Sequence, residues 1–216
     1  MSRDHVSVDG ATLPLRVAPA RAAAAPLLVL APGAGSSMAH PGVRGLQDRL
    51  VARGITTATF DFPYRVRGGG APDRMPVLVQ AYRAVIDHVR RGHAGPLFAG
   101  GRSLGGRVAS HVAAAGTHLA GLVFFAFPLH PPGRPGIARA EHLKTLRVPM
   151  LFVQGTRDTF ARADLLDGVL RELPIATYHP IVDADHGFHV PKRTGRTDAD
   201  VLDELADVAA RWMREV

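Results

Sequence analysis

Five short runs of almost unbroken apolar residues, Leu27–Ala31, Ile55–Phe60, Pro96–Gly100, Gly121–Ala126 and Met150–Gln154, constrain this chain more than any other feature. Each is too short for an independent helix and lacks the polar alternation of a half-exposed strand, so each suits a strand buried on both faces. Between them the spacing changes to that of amphipathic helices, with Val43, Leu46, Leu50 and Val51 in one segment and Val77, Tyr82, Val85, Ile86 and Val89 in another. Strands alternating with helices imply a parallel sheet with crossover helices on both faces, a three-layer arrangement. A last strand is expected over Thr177–Val182 and a last helix over Asp198–Arg214, with Val201, Leu205, Val208 and Trp212 on its apolar face. The start differs: His5–Val8 and Ala11–Val17 flank Asp9-Gly10, a hairpin pattern that places antiparallel strands before the parallel ones. The expectation is an α/β fold with a mostly parallel, twisted sheet of about seven or eight strands. With no internal repeat or linker, residues 1–216 read as a single domain.

Composition narrows the function classes. Lysine and arginine total 26 against 19 acids, a formal charge of +7, yet the cations are dispersed, with pairs such as Arg90-Arg91 and Lys192-Arg193 but no basic stripe interleaved with aromatics. That distribution argues against a nucleic-acid partner. The absence of cysteine excludes disulfides, a thiol nucleophile and thiolate metal ligands, and fits a reducing compartment. The apolar run Ala22–Ala31 lies behind a polar stretch containing Asp4 and Asp9, so it reads as a buried strand and not a leader. No apolar stretch approaches the roughly 20 residues that span a bilayer. The expectation is a cytoplasmic protein with no membrane association.

Two irregular stretches, Asp61–Arg74 and Phe127–Ile137, exceed the commonest connection lengths of roughly 2 to 6 residues. Both follow carboxyl ends of strands, the edge where open α/β sheets bind ligands, so they are the expected pocket walls.

The sharpest chemical feature is Gly101-Arg102-Ser103-Leu104-Gly105, which follows the run Pro96–Gly100 and precedes an amphipathic segment containing Val108, Val112 and Ala115. This is G-x-S-x-G in the strand–turn–helix setting of a nucleophile elbow. A serine hydroxyl is a weak nucleophile alone and needs a base steadied by a carboxylate. Asp158, in Gly155-Thr156-Arg157-Asp158 beyond one apolar run, and His186, in Asp183-Ala184-Asp185-His186-Gly187-Phe188 past the last strand, follow the serine in the order acid then histidine. His130, His179 and His189 are rivals for the base. Asp183 and Asp185 are rivals for the acid, although neighbours so near His186 suit bracing of its loop. A tetrahedral intermediate also needs amide donors. Leu104 follows the serine, and Ala34 lies in Ala31-Pro32-Gly33-Ala34-Gly35 after an early strand, with Gly33 and Gly35 as alternatives because Pro32 has no amide hydrogen.

On these residues the chain resembles the α/β-hydrolase superfamily, and within it the small dienelactone-hydrolase-like proteins. The likeness spans nearly the whole chain and rests on Gly100–Arg107, Phe62-Pro63-Tyr64-Arg65, Phe127–Gly133, Gln154–Asp158 and Asp185-His186-Gly187-Phe188. It implies the three-layer hydrolase fold without a large cap domain and a Ser103, His186 and Asp158 triad acting on a small or medium carboxylic ester or thioester through an acyl-enzyme. Two departures stand out: Pro32 replaces the histidine of the His-Gly turn in many superfamily members, and serine replaces the cysteine of dienelactone hydrolases proper.

Tyr64, Arg65, Arg102, Phe127, His130 and Phe188 are the expected pocket residues, with Arg65 or Arg102 available to meet a substrate carboxylate. No cofactor or metal is expected. Gly33-Ala34-Gly35 would need glycine at position 38 to open a dinucleotide fingerprint, and Met38 stands there. His186 and His189 are too sparse a pair for a metal site. The competing class is a hydrolase-fold binding or scaffold protein without turnover.

Overall fold

A computed structural model describes the backbone of residues 2–216, with side chains from residue 4. The strands are β1 (Ser2–Val8), β2 (Ala11–Ala18), β3 (Leu27–Ala31), β4 (Thr56–Phe60), β5 (Leu97–Arg102), β6 (Gly121–Phe125), β7 (Met150–Gly155) and β8 (Ala176–Ile181). The helices are α1 (Pro41–Ala52), the single turn α2 (Pro63–Val66), α3 (Met75–Arg90), α4 (Leu104–Ala114), α5 (Ala163–Arg171) and α6 (Asp198–Glu215), with short 3₁₀ turns at Glu141–Thr145 and Lys192–Thr194. All eight strands join one sheet in the order β1-β2-β4-β3-β5-β6-β7-β8.

The chain begins with the hairpin. Asp9 (φ 44°) and Gly10 (φ 75°) both adopt the left-handed conformation that a tight two-residue hairpin turn demands, bringing Val8 opposite Ala11. β2 then runs antiparallel to β4, and every pairing from β4 to β8 is parallel. The central strands β3 to β7 are buried at every residue except the half-buried Arg102 at the end of β5. Leu28, Leu30, Phe98, Val123 and Phe125 pack beneath α1 and α6, while Leu27, Val29, Leu122 and Phe124 pack beneath α3, α4 and α5. Two apolar cores, one on each face, make this a three-layer α/β architecture, and among the described residues no large cap covers the sheet.

Two details of the helices differ from the apolar periodicity. Val77 is 42% exposed, because the buried face of α3 runs through Leu78, Ala81, Tyr82, Val85, Ile86 and Val89, one residue out of phase with Val77. Ala115 lies past the last turn of α4, exposed at its C-cap. The sheet order reverses between β3, which leads to β4 on one side, and β5, which neighbours β3 on the other. Ligand sites in open α/β sheets form at such a switch point. Among the described residues no helix is long and apolar enough to cross a membrane.

Candidate active site

At the switch point β5 ends and α4 begins within a single residue. Ser103 sits at φ 51°, ψ −114° as the N-cap of α4, a sparsely populated conformation costing on the order of 1–3 kcal/mol. Its amide donates to Phe125 O at the end of β6 (2.9 Å), which anchors the turn. The flanking glycines are sterically required: a Cβ on Gly101 would stand 2.4 Å from Ala31 O, and one on Gly105 would stand 2.3 Å from Ala31 O and 2.8 Å from Pro32 O. The start of α4 therefore touches the end of β3, which brings the turn after β3 to the serine. Beneath them the buried Tyr82 hydroxyl lies 2.6 Å from Val29 O and 2.7 Å from Gly100 O and accepts from Gly100 N (2.9 Å), joining β3 and β5 just before the elbow. Burial pushes the Tyr82 pKa far up, so the phenol keeps its proton.

The loops after β7 and β8 converge on the same place. Thr156 N donates to Ile181 O (3.0 Å) and Arg157 N to Ala184 O (2.9 Å). A Cβ on Gly155 would lie 2.4 Å from Ala184 O, so only glycine permits this approach. It delivers Asp158 to His186. The His186 Nδ1–H donates to Asp158 Oδ2 (2.7 Å), which leaves Nε2 to accept from the Ser103 hydroxyl (2.9 Å). Asp158 is buried, and its other contacts are donors: Phe160 N to Oδ1 (2.7 Å) and Gln154 Nε2 to Oδ2. The Phe160 ring stacks on the His186 imidazole at 4.1 Å between centroids. The geometry thus offers a hydroxyl, an acceptor imidazole oriented as one tautomer, and a carboxylate that would stabilise the imidazolium after proton transfer.

Asp185 is occupied in its own loop, its Oδ1 accepting from Gly187 N (2.7 Å) and His189 N (2.9 Å), and Asp183 accepts from Arg193 (3.2 Å). The other histidines have separate partners. His179 bonds Glu204 (2.8 Å) and His189 bonds Asp198 (2.8 Å). His130 is buried, donating from Nδ1 to Pro131 O (2.9 Å) and accepting at Nε2 from Arg162 N (3.0 Å). A second serine–histidine contact, Ser110 with His142 at 2.7 Å, lies farther along α4.

Of the turn amides after β3, that of Gly35 donates to the Tyr64 hydroxyl (3.2 Å), and Met38 N donates to Asp61 Oδ1 (2.7 Å). The Ala34 amide makes no hydrogen bond among the described residues, and the Leu104 amide opens the first turn of α4, where amides have no intrahelical partner.

Beside Ser103 lies a cavity of about 650 Å³, walled by the turn 33–36, the start of α1, the loop 186–189 and α6. Arg102 and Phe188 are among its lining residues, but Tyr64, Arg65, Phe127 and His130 are not. Tyr64 stands behind the turn it braces, Arg65 donates to Gly69 O (3.0 Å), and Phe127 is buried in the sheet core against Phe124 and Phe152. No residue of the long loops after β4 and β6 lines this cavity, and Tyr64 supports it from behind through the Gly35 amide. Arg102 donates to the carbonyls of Gly187 and His186, lies 5.7 Å over the Phe188 ring, and has its pKa lowered by burial against the opposing pull of Asp185 and Asp158. Phe160, Gln154, Leu46, Leu202 and Leu205 also take part in or line the site, although none of them was an expected site residue. Among the described residues no cluster of three or more acidic or histidine side chains is arranged to hold a metal.

Comparison with solved structures places this geometry in context. An α/β serine hydrolase homologue from Coxiella burnetii superposes with a TM-score of 0.76 at 19% identity, covering 97% of this chain and 96% of that one. A lid-less α/β serine hydrolase from Xanthomonas campestris gives 0.76 at 23% identity, covering 98% and 94%. A dienelactone hydrolase from Anabaena variabilis gives 0.73 at 21%, covering 99% and 96%. At these identities the likeness is one of fold. In sequence, residues 24–214 match the family described as the alpha/beta hydrolase domain. A strained serine at the switch point of such a sheet and a family match over nearly the whole length agree, and the chain belongs to the alpha/beta hydrolase domain family.

Proposed function

We propose that residues 1–216 form a single-domain serine hydrolase that cleaves a small or medium carboxylic ester or thioester through an acyl-enzyme, with Ser103, His186 and Asp158 as its catalytic triad. The observation that carries this reading is the continuous hydrogen-bonded series from the Ser103 hydroxyl through His186 to the buried Asp158, opening on a cavity. Ser103 Oγ attacks the carbonyl carbon while its proton passes to His186 Nε2. The amides of Leu104 and Ala34 then stabilise the oxyanion, a type of contact worth roughly 10²- to 10³-fold in turnover. Collapse expels the alcohol or thiol, which takes the proton from His186. Water, deprotonated by the same imidazole, releases the acid and restores the serine. A cytoplasmic setting accords with the absence of cysteine.

The test is covalent labelling by a fluorophosphonate. Wild-type protein is expected to label and Ser103→Ala to lose the label completely. Labelling that survives Ser103→Ala removes the proposed nucleophile, and a correctly folded wild type that does not label supports the scaffold alternative.

A further inference from the structure

The cavity beside Ser103 is asymmetric. Its floor is apolar and buried, built from Phe125 at the end of β6, Phe188, Leu46 of α1 and Leu205 of α6, with the half-buried Leu202 beside them. Its rim is polar and exposed: His40 at the N-cap of α1, and the paired His189 and Asp198 at the start of α6. A volume of about 650 Å³ lies within the range of roughly 300–1,000 Å³ typical of small-molecule sites. The cation deepest in the lining, Arg102, already directs its guanidinium at the backbone carbonyls of His186 and Gly187. It is a brace for the histidine loop, and the Asp198 carboxylate at the rim would repel an incoming anion.

We infer that the cavity walled by the first turns of α1 and α6 is an acyl-chain slot, and that the enzyme selects neutral, medium-length acyl groups over short ones and over acyl chains ending in a carboxylate. This inference rests on the serine-hydrolase reading above. Acyl transfer assigns the slot to the acyl side. The acyl group stays on Ser103 through both half-reactions, whereas the alcohol must leave and water must enter, which suits the polar, exposed rim. Burial of each added methylene is worth up to about fourfold in binding, so a chain that follows the floor toward Leu202 gains cumulatively, while a terminal carboxylate would be desolvated there without a free cation to meet it.

The experiment measures kcat/KM for p-nitrophenyl acetate, hexanoate and octanoate, for mono-p-nitrophenyl adipate as the anionic match of the hexanoate, and for ethyl against octyl acetate, on protein whose fluorophosphonate labelling is measured in parallel. Octanoate is expected to exceed acetate by at least tenfold, hexanoate to exceed the adipate by at least tenfold, and the two acetates to differ by less than threefold. Leu202→Trp, which fills the slot at a half-buried position, is expected to lower the octanoate-to-acetate ratio at least tenfold. Leu202→Ala, which enlarges it without demanding new packing, is expected to move the optimum to longer acyl chains. A flat acyl series, a preference for the adipate, a gain that follows the alcohol chain, or ratios unmoved in both variants would overturn the slot while labelling stays intact. Loss of labelling in the wild type would overturn the hydrolase reading itself.

Discussion

Two serine hydroxyls at or on α4 touch imidazoles, and their surroundings are opposite. Ser103, at the N-cap in strained backbone, is half-buried and lines the cavity; its partner His186 is backed by the Asp158 carboxylate at 2.7 Å. Ser110, two turns on, is buried in regular helix and donates its proton to Arg107 O (2.7 Å), so His142 Nε2, also 2.7 Å away, can only donate to it. No carboxylate bonds His142 among the described residues. Its ring instead stacks on His111 at 3.9 Å, and burial, with His111 and Arg107 adding to it, pushes its pKa down to about 4. The same two residue types at hydrogen-bond distance, 2.9 and 2.7 Å, therefore form a proton acceptor in one place and a neutral packing contact in the other. What differs is the direction of the hydrogen bond, set at His186 by the carboxylate behind the ring and at His142 by the carbonyl that already takes the Ser110 proton.

The contrast can be broken most severely at the carboxylate. Asp158→Asn should lower kcat by about 10³- to 10⁴-fold on any ester the wild type cleaves, because an amide would orient the wrong tautomer of His186. A loss below tenfold in steady-state kinetics would make His186 no better supported than His142. The reciprocal change, Ser110→Ala, should leave the rate of fluorophosphonate labelling within twofold and lower unfolding free energy by about 1–2 kcal/mol in urea titration, since the buried His142 N–H loses its acceptor. Abolished labelling in that folded variant would place chemistry at the wrong serine.

The smallest effect concerns acidity. A histidine whose folded pKa lies below its unfolded one stabilises the fold above the unfolded pKa of roughly 6.5, and that contribution declines as pH falls toward the folded value of about 4. His142 should thus cost on the order of 1 kcal/mol of stability between pH 7 and pH 5, after allowance for partial solvent screening. His111 shifts in the same direction, so the measurement is the difference in slope between wild type and His142→Gln. Equal slopes for the two proteins would show that His142 titrates as it does in the unfolded chain.

The strands and the meeting of Ser103, Asp158 and His186 were legible because each depends on local chemistry: continuous apolar runs, glycines beside a serine, and polar residues just past strand ends. The cavity walls were legible only at Arg102 and Phe188. Length made the stretches 61–74 and 127–137 resemble walls, but length does not say whether a loop faces the cavity or backs a neighbouring turn. Tyr64 shows the difference, since its hydroxyl serves the Gly35 amide. Leu202 lay off the apolar stripe of α6 as read from Val201, Leu205, Val208 and Trp212, and only the approach of α1 gives it a partner surface. Phe160 belongs to no motif, and Gln154 opens the Gln154–Asp158 motif with nothing in the pattern to say that its side chain turns back to the Asp158 carboxylate; both positions arise from the fold of the end of β7 and the loop after it.

The Tyr82 phenol carries one more consequence. By tying Val29 in the middle of β3 to Gly100 of β5, it makes the spacing between the Ala34 and Leu104 amides a property of the sheet interior. The outer connections can then lengthen, shorten or change composition over evolutionary time without detuning that spacing, so a lineage built on this scaffold is free to explore new substrates at its periphery.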